Sequence, residues 1–418
     1  ANQVTVQVGV FGPLVDTYDA VDELPAPDPS ATGPWHLNVQ LDEPLLPPAG
    51  QRFTPRAPTG APREPQVRPA ATLLLPGPRT VVVAGDDSGP AARRLAEAAG
   101  WPLLAEPSSG SRTGDLALRC YRLLLHDGSE LADAIERVVV FGRPTLSRPV
   151  MRLLARADVE VVSVPARGVW AERPFPVALV APWPEVAGPD TGHAGWLEEW
   201  RTADRAIGRR LDALLAGEPD LTPYAVVGAV SRSIPPEGLL VVGPSSPIRD
   251  LDLMSRPTPV GSRRKTMSNR GLAGIDGVVS SSIGIALARA EQHPEGRNLA
   301  LLGDVTFLHD SNGLVLGPGQ PTPDLTIVVV NDDGGSIFTM LEQGAPEHAG
   351  RFEALFGTPH GVDIAALCAA TRTPHLQVTN LPALEQALAS PNGGIDVIEA
   401  VVRRDNRRDL DERIRALR

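Results

Sequence analysis

The sequence predicts an α/β protein of doubly wound parallel sheets. Three observations carry that prediction. Short apolar, β-branched runs recur along the chain, stretches of helical composition separate them, and two of the runs end in Gly and Asp. Strands that alternate with helices form parallel sheets covered on both faces, which is why such strands read as near-continuous apolar runs.

The elements follow in order. Gly33 to Val39 reads as a turn entering a strand, closing a first block over residues 1–48. Residues 49–70 are rich in Pro and Arg without periodicity, as expected of an extended linker. A central block spans residues 71–220. Thr80–Ala84 is its first strand, Pro90–Ala99 is helical in composition, Leu131–Arg137 then Val138–Phe141 repeats helix and strand, and Pro149–Ala157 then Val159–Val164 repeats it again. Residues 171–195 carry no pattern. Leu197, Trp200, Ile207, Leu211 and Leu214 then mark an amphipathic helix. In a last block, residues 221–418, strands are expected at Leu239–Val242, Leu299–Leu302, Leu325–Val330, His375–Val378 and Ile395–Val402. Helices are expected over 274–292, 361–371, 382–389 and 408–417.

Composition excludes several classes. At 42% hydrophobic residues, the 418-residue chain can bury real cores. A net charge of −11 disfavours a nucleic-acid binder held by phosphate contacts. No run approaches the ~18 consecutive apolar residues of an integral membrane segment. Cys120 and Cys368 have neither disulfide-framework nor metal-ligand spacing, so two buried reduced thiols and a cytoplasmic location are expected. Lys265 is the sole lysine among many arginines, a skew that points to genomic base composition.

The chemistry concentrates in the last block. Leu301-Leu302-Gly303-Asp304-Val305 and Val328-Val329-Val330-Asn331-Asp332-Asp333-Gly334-Gly335 are both strands that end in acidic residues and glycine. Ligands of open α/β sheets bind beyond the carboxyl ends of strands, so both halves can reach one crevice. Asp304 and Asp332 offer hard oxygen ligands, and a carbonyl in the Gly334 turn offers another. Mg²⁺ takes about six oxygens, commonly one or two carboxylates with phosphate oxygens and water. A diphosphate would complete that shell. The alternative for any single Asp is a strand end that merely caps a helix.

The pair resembles the thiamine diphosphate motif, Gly-Asp-Gly followed some 25 residues later by Asn-Asn. Residues 306–330 supply that spacing, with Val305 in place of the third Gly and Asp332 in place of the second Asn. With Ser268-Asn269-Arg270-Gly271, Gly274-Ile275-Asp276-Gly277, Thr306 to Asp310 and Ser336-Ile337-Phe338, the chain resembles the MenD family, 2-succinyl-5-enolpyruvyl-6-hydroxy-3-cyclohexene-1-carboxylate synthases of menaquinone biosynthesis. Ala1-Asn2-Gln3 and Gly33 to Asn38 match the later part of that family's first domain, and the match is weakest over 49–220.

The resemblance implies a thiamine diphosphate-binding fold of three related domains, the first one partial. Residues 1–48 would be the end of a pyrimidine-binding domain, 71–220 a central domain and 221–418 a diphosphate-binding domain. It implies decarboxylation of 2-oxoglutarate, 1,4-addition of the succinyl unit to isochorismate and release of CO₂. It also implies Mg²⁺ or Mn²⁺, and a homodimer or homotetramer with sites between subunits. By the same match Asp304, Asp332 and the Gly334 carbonyl hold the metal. Ser245, Gly303, Asp304, Ile337, Phe338 and Leu341 contact the cofactor, and Asn2, Gln3, Arg249 and Arg270 face the substrates.

The residues by themselves speak less sharply. Arginine offers a bidentate fork for substrate carboxylates, yet most arginines of this chain belong on the surface. Ile337, Phe338 and Leu341 have helical spacing and read as core. His309 and His360 read as structural. The small-faced helix after Gly274 suits close packing against a strand, or a phosphate at its N-terminus. The resemblance places the glutamate that activates the cofactor upstream of the segment matching Ala1. The first domain is therefore expected to be partial and no catalytic side chain is assigned within the chain. Two other functions stay open at this point: another thiamine diphosphate-dependent 2-oxoacid decarboxylase or carboligase, and an inactive truncated module that binds partners.

Overall fold

The computed structural model describes residues 9–20, 35–39, 49–50, 70–166, 173–193, 195–262, 264–294 and 296–418. The chain divides into two compact units, one of residues 1–70 and 167–172, the other of residues 71–166 and 173–418. In the first, strands β1 (Asp16–Ala20) and β2 (Trp35–Val39) pair in parallel, and Asn38 donates to the Asp19 carboxylate across the pair at 2.7 Å.

The second unit carries two larger parallel sheets. The chain passes through a short strand β3 (Thr72–Leu73), then β4 (Thr80–Ala84), β5 (Leu103–Ala105), β6 (Arg137–Phe141), β7 (Glu160–Ser163), β8 (Leu179–Val180) and β9 (Pro184–Glu185). Strands β4 to β8 form a five-stranded sheet in the order β5-β4-β6-β7-β8, while β3 and β9 pair separately. Strands β10 (Leu239–Val242), β11 (Lys265–Ser268), β12 (Asn298–Gly303), β13 (Leu325–Asn331), β14 (His375–Val378) and β15 (Ile395–Val401) form a six-stranded sheet, β11-β10-β12-β13-β15-β14, parallel throughout.

Alternation along the strands explains the burial. Leu240, Val242, Leu299, Leu301, Val328 and Val330 enter one apolar cluster, and their neighbours Leu239, Val241, Ala300, Leu302, Ile327 and Val329 enter another on the opposite face. Successive side chains of a strand point to opposite faces, so each strand feeds both cores. The first cluster also takes in Val81 and Val83 of β4 with Tyr121, Trp200 and Tyr224, so one core runs from the five-stranded to the six-stranded sheet.

Two expectations change. The helix expected over Leu131–Arg137 is a single turn, Glu130–Asp133, capped by the Ser129 hydroxyl, and Arg137 begins β6 instead. Arg137 is buried because its donors are met by Thr80 Oγ1 at 3.0 Å and the Leu75 carbonyl at 2.9 Å, and its guanidinium lies over the Trp101 ring. The patternless stretch contributes β8 and β9. Both cysteines are buried free thiols. Among the described residues, no helix is long and apolar enough to cross a membrane.

Candidate active site

Four neighbouring strands deliver the predicted residues to one edge of the six-stranded sheet. Arg270 follows β11, Ser245 follows β10, Asp304 follows β12 and Asp332 follows β13. The winding reverses at β10, since β11 lies on one side of it and β12 on the other. Crevices at such switch points are where open α/β sheets bind ligands.

A cavity of about 210 Å³ opens there, lined by Ser245, Gly303 and Asp304 on one side and by Asp332, Gly334, Ile337 and Phe338 on the other. Asp304 is 3% exposed. Its Oδ1 accepts the Val305 amide at 2.7 Å and its Oδ2 the Gly334 amide at 2.9 Å. Asp332 Oδ2 accepts the Ser336 hydroxyl, whereas Oδ1 is buried with no hydrogen-bond partner. Burial, reinforced by the Asp304 charge, pushes the Asp332 carboxyl up to about 7, and burial raises Asp304 as well. A bound cation would reverse both effects.

The donors around the cavity are equally unmet. Ser246 Oγ and the Nε and Nη1 of Arg407 are buried without partners, while Arg407 Nη2 pairs with Asp250 at 2.6 Å. Buried polar groups are normally hydrogen-bonded, and each exception calls for an explanation. A lone acceptor on Asp332 beside unpartnered donors suits a divalent cation carrying a phosphate group. Gly334 makes the geometry possible, because its φ is +134° and a Cβ there would collide with the Gly357 carbonyl. Among the described residues, no group of three or more His, Cys, Asp or Glu side chains could hold a metal ion. Two carboxylates and a carbonyl would need phosphate and water oxygens to fill an octahedral shell.

The remaining predicted residues divide. Ser245 turns the chain from β10 into the helix Ser246–Met254 at φ +74°, a strained value for a side-chain-bearing residue. Arg249 on that helix donates to the Ser245 carbonyl at 2.6 Å. Burial, with the charges of Arg270, Arg122 and Arg148, pushes its pKa below the usual arginine value. Among the described residues, neither Arg249 nor Arg270 forms an ion pair with a carboxylate. Leu341 is not among the cavity's lining residues; its carbonyl accepts from Arg408 at 3.2 Å. Asn2 and Gln3 lie outside the described residues.

The core reading of Ile337, Phe338 and Leu341 is corrected. None is buried, and Phe338 is 39% exposed. The segment winds as a 3₁₀ turn, Ser336–Met340, so helical spacing no longer puts the three on one buried face. His360 holds a turn in place, in keeping with a structural role. Its Nε2 lies 3.2 Å from Asp304 Oδ2 and its Nδ1 3.4 Å from Asp333, which ties the Pro359-His360-Gly361 turn to the acidic strand ends. His309 pairs with Asp276 at 2.9 Å on an exposed face. The helix after Gly274, Val278–Ala290, serves close packing: the Asp310 carboxylate already takes the Ser280 amide at 2.6 Å. Sequence reasoning gave no role to Ser246 or Arg407. A second serine after Ser245 and one more arginine in an Arg-rich tail offered no signal.

A switch-point cavity with Gly303-Asp304 and Asn331-Asp332 on adjacent strands is the arrangement expected of a thiamine diphosphate-dependent enzyme. No family model matches the chain. Curated relatives do. A 2-succinyl-5-enolpyruvyl-6-hydroxy-3-cyclohexene-1-carboxylate synthase of Nocardioides sp. is 63% identical over 426 aligned residues, covering 100% of this chain and 77% of the relative. Proteins of the same name from Kineococcus radiotolerans, 47% identical over 92% of the chain and 68% of the relative, and from Paenarthrobacter aurescens, 42% identical over 99% and 76%, also align. The chain belongs to the 2-succinyl-5-enolpyruvyl-6-hydroxy-3-cyclohexene-1-carboxylate synthase (MenD) family, enzymes of transferase type in menaquinone biosynthesis.

Proposed function

We propose that this chain uses thiamine diphosphate to decarboxylate 2-oxoglutarate and to join the succinyl unit to isochorismate by 1,4-addition, with release of CO₂. The observation that carries the cofactor half of this reading is the partnerless Asp332 Oδ1, buried in the cavity that Asp304 shares, while the two substrates and the reaction follow from the family match. Asp304, Asp332 and the Gly334 carbonyl would hold Mg²⁺ or Mn²⁺. Ser245, Gly303 and the Ser246 hydroxyl would meet the diphosphate, and Ile337 and Phe338 would flank the cofactor. When bound, thiamine diphosphate supplies the electron sink that lets a 2-oxoacid lose its carboxylate. At about 210 Å³ the cavity is smaller than the roughly 300 Å³ at which whole-ligand pockets begin, which suits the diphosphate end alone.

The protein's own contribution is position and charge. Arg249 and Arg270 lack carboxylate partners among the described residues, and a guanidinium fork matches the carboxylates that both substrates carry. Asn2, Gln3 and Leu341 join the site on the family match alone. Phe338 and the fully exposed Leu272, two residues after Arg270, offer apolar surface suited to a second copy of the chain, in line with a homodimer or homotetramer whose sites lie between subunits. The domain reading assigns residues 1–48 to a pyrimidine-binding domain, 49–70 to a linker, 71–220 to a central domain and 221–418 to a diphosphate-binding domain. The buried, unpaired thiols accord with a cytoplasmic protein.

Product analysis tests the reaction. With 2-oxoglutarate and isochorismate together, the carboligation product is expected alongside CO₂. A product formed from 2-oxoglutarate alone, unaltered by isochorismate, would assign the chain to another thiamine diphosphate-dependent decarboxylase.

A further inference from the structure

One carboxyl outside the cofactor cavity is placed where packing alone gives no reason for it. Glu106, just past β5 of the five-stranded sheet, is 2% exposed. Its Oε1 accepts two successive backbone amides, Thr145 N and Leu146 N, each at 2.9 Å. Its Oε2 is buried with no partner. Leaving a buried polar atom unmet costs about 1–3 kcal/mol, a cost that the two amide hydrogen bonds of Oε1 help to offset.

Those amides belong to the loop that follows β6. The first half of the loop is pinned elsewhere, since Asp86 and Arg143 exchange backbone hydrogen bonds at 2.9 and 3.0 Å. Pro144 has no N–H to give. Thr145 and Leu146 therefore depend on Glu106. Thr145 is in turn the anchor of Arg270, whose Nε and Nη2 donate to Thr145 Oγ1 at 3.1 and 2.9 Å. Arg270 stands on a loop with little else to steady it: Gly271 is at φ +84° and Leu272 is fully exposed. Its Nη1 donates to no described residue, which leaves it available for a carboxylate.

We propose that Glu106 is a positioning residue for substrate binding: by fixing the Thr145-Leu146 backbone it sets where the Arg270 guanidinium meets a substrate carboxylate. This rests on the assignment of Arg270 to substrate binding made above. It also gives the central sheet a part in an active site built on the six-stranded sheet. Burial pushes the Glu106 carboxyl up to about 8, against a smaller lowering by the two amides and by Arg270, while Asp252 nearby adds to the rise. Burial thus favours the protonated form, and because the two amides need only an acceptor oxygen, a glutamine can replace it.

The test is steady-state kinetics on the full polypeptide with four variants, alongside melting temperature and thiamine diphosphate affinity by calorimetry. Arg270→Lys is expected to raise KM for one carboxylate substrate. Glu106→Leu is expected to raise the same KM roughly 10-fold with kcat within threefold and cofactor affinity unchanged, the scale that a small misplacement produces. Thr145→Val, which leaves Glu106 in place, should move that KM in the same direction, and Glu106→Gln should restore it to within about twofold of the parent. A Glu106→Leu protein that melts lower yet keeps the parental KM would overturn the proposal. Should that variant fail to fold, a parental KM in Thr145→Val would overturn it equally. If Arg270→Lys leaves both KM values unchanged, the assignment of Arg270 fails instead.

Discussion

Asp304 Oδ2 accepts the backbone amide of Gly334 at 2.9 Å, which ties the ends of two adjacent strands together across 30 residues of chain. The contact closes one side of the cavity and turns the Gly334 peptide. It exists only because residue 334 has no side chain to strike the Gly357 carbonyl.

Asp304→Ala should therefore remove a ligand and loosen its neighbour at once. Calorimetric titration with thiamine diphosphate and Mg²⁺ is expected to show no binding, together with a stability loss of about 1–3 kcal/mol from the Gly334 amide left unpaired. Retained Mg²⁺-dependent binding would remove Asp304 from the site.

Gly334→Ala tests the backbone half of the same contact. The added methyl meets main-chain oxygen, which cannot swing aside, and φ +134° is strained for alanine. A loss of about 2 kcal/mol or more in urea unfolding is expected, with weakened cofactor binding. A variant of parental stability would mean that the turn yields easily and does not hold the cavity's shape.

Arg249→Ala is expected to act on substrate alone. Its guanidinium bonds to the Ser245 carbonyl and to no described carboxylate. KM should rise about 10-fold or more while thiamine diphosphate affinity stays within twofold, the signature of lost substrate binding. An equal fall in cofactor affinity would place Arg249 on the diphosphate.

Glu106 sets a pH dependence whose sign is fixed. Its carboxyl titrates near 8 when folded and near 4.5 in its ordinary state. Between those values the native state holds a proton that the unfolded chain has released. This stabilisation is complete below about pH 4.5 and is lost as pH rises through 8, with a slope approaching 1.4 kcal/mol per pH unit. Glutamine has no proton to lose, so Glu106→Gln should gain stability relative to the parent between pH 5 and pH 8, by roughly 2 kcal/mol or more. Urea unfolding at three pH values checks this. A constant difference would show that Glu106 is ionised in the folded protein.

Much of the fold was readable from residue order. Thr80–Ala84, Leu239–Val242 and His375–Val378 have the strand bounds that their apolar runs predict. The acidic strand ends were legible for the same local reason, because Gly-Asp after a buried run marks the place where a strand emerges from the core. Arg137 went the other way. Its neighbours suggested a helix, and only the Thr80 hydroxyl, the Leu75 carbonyl and the Trp101 ring, all distant in sequence, make it a buried strand residue.

By itself the sequence determined the class of fold, the family and the two carboxylates at the cavity. Each depends on hydrophobic period or on the spacing of a few residues along the chain, which are local properties. The tertiary structure alone decided that Asp332 Oδ1 is left without a partner, that His360 leans on Asp304, and that Glu106 reaches Arg270 through Thr145. The contacts of His360 with Asp304, Glu106 with Thr145 and Thr145 with Arg270 join residues 56, 39 and 125 positions apart, brought together by sheet order and by loops crossing between sheets. No periodicity records such contacts, because a hydrogen bond between strand ends depends on which strands are neighbours, and burial of the whole chain settles that.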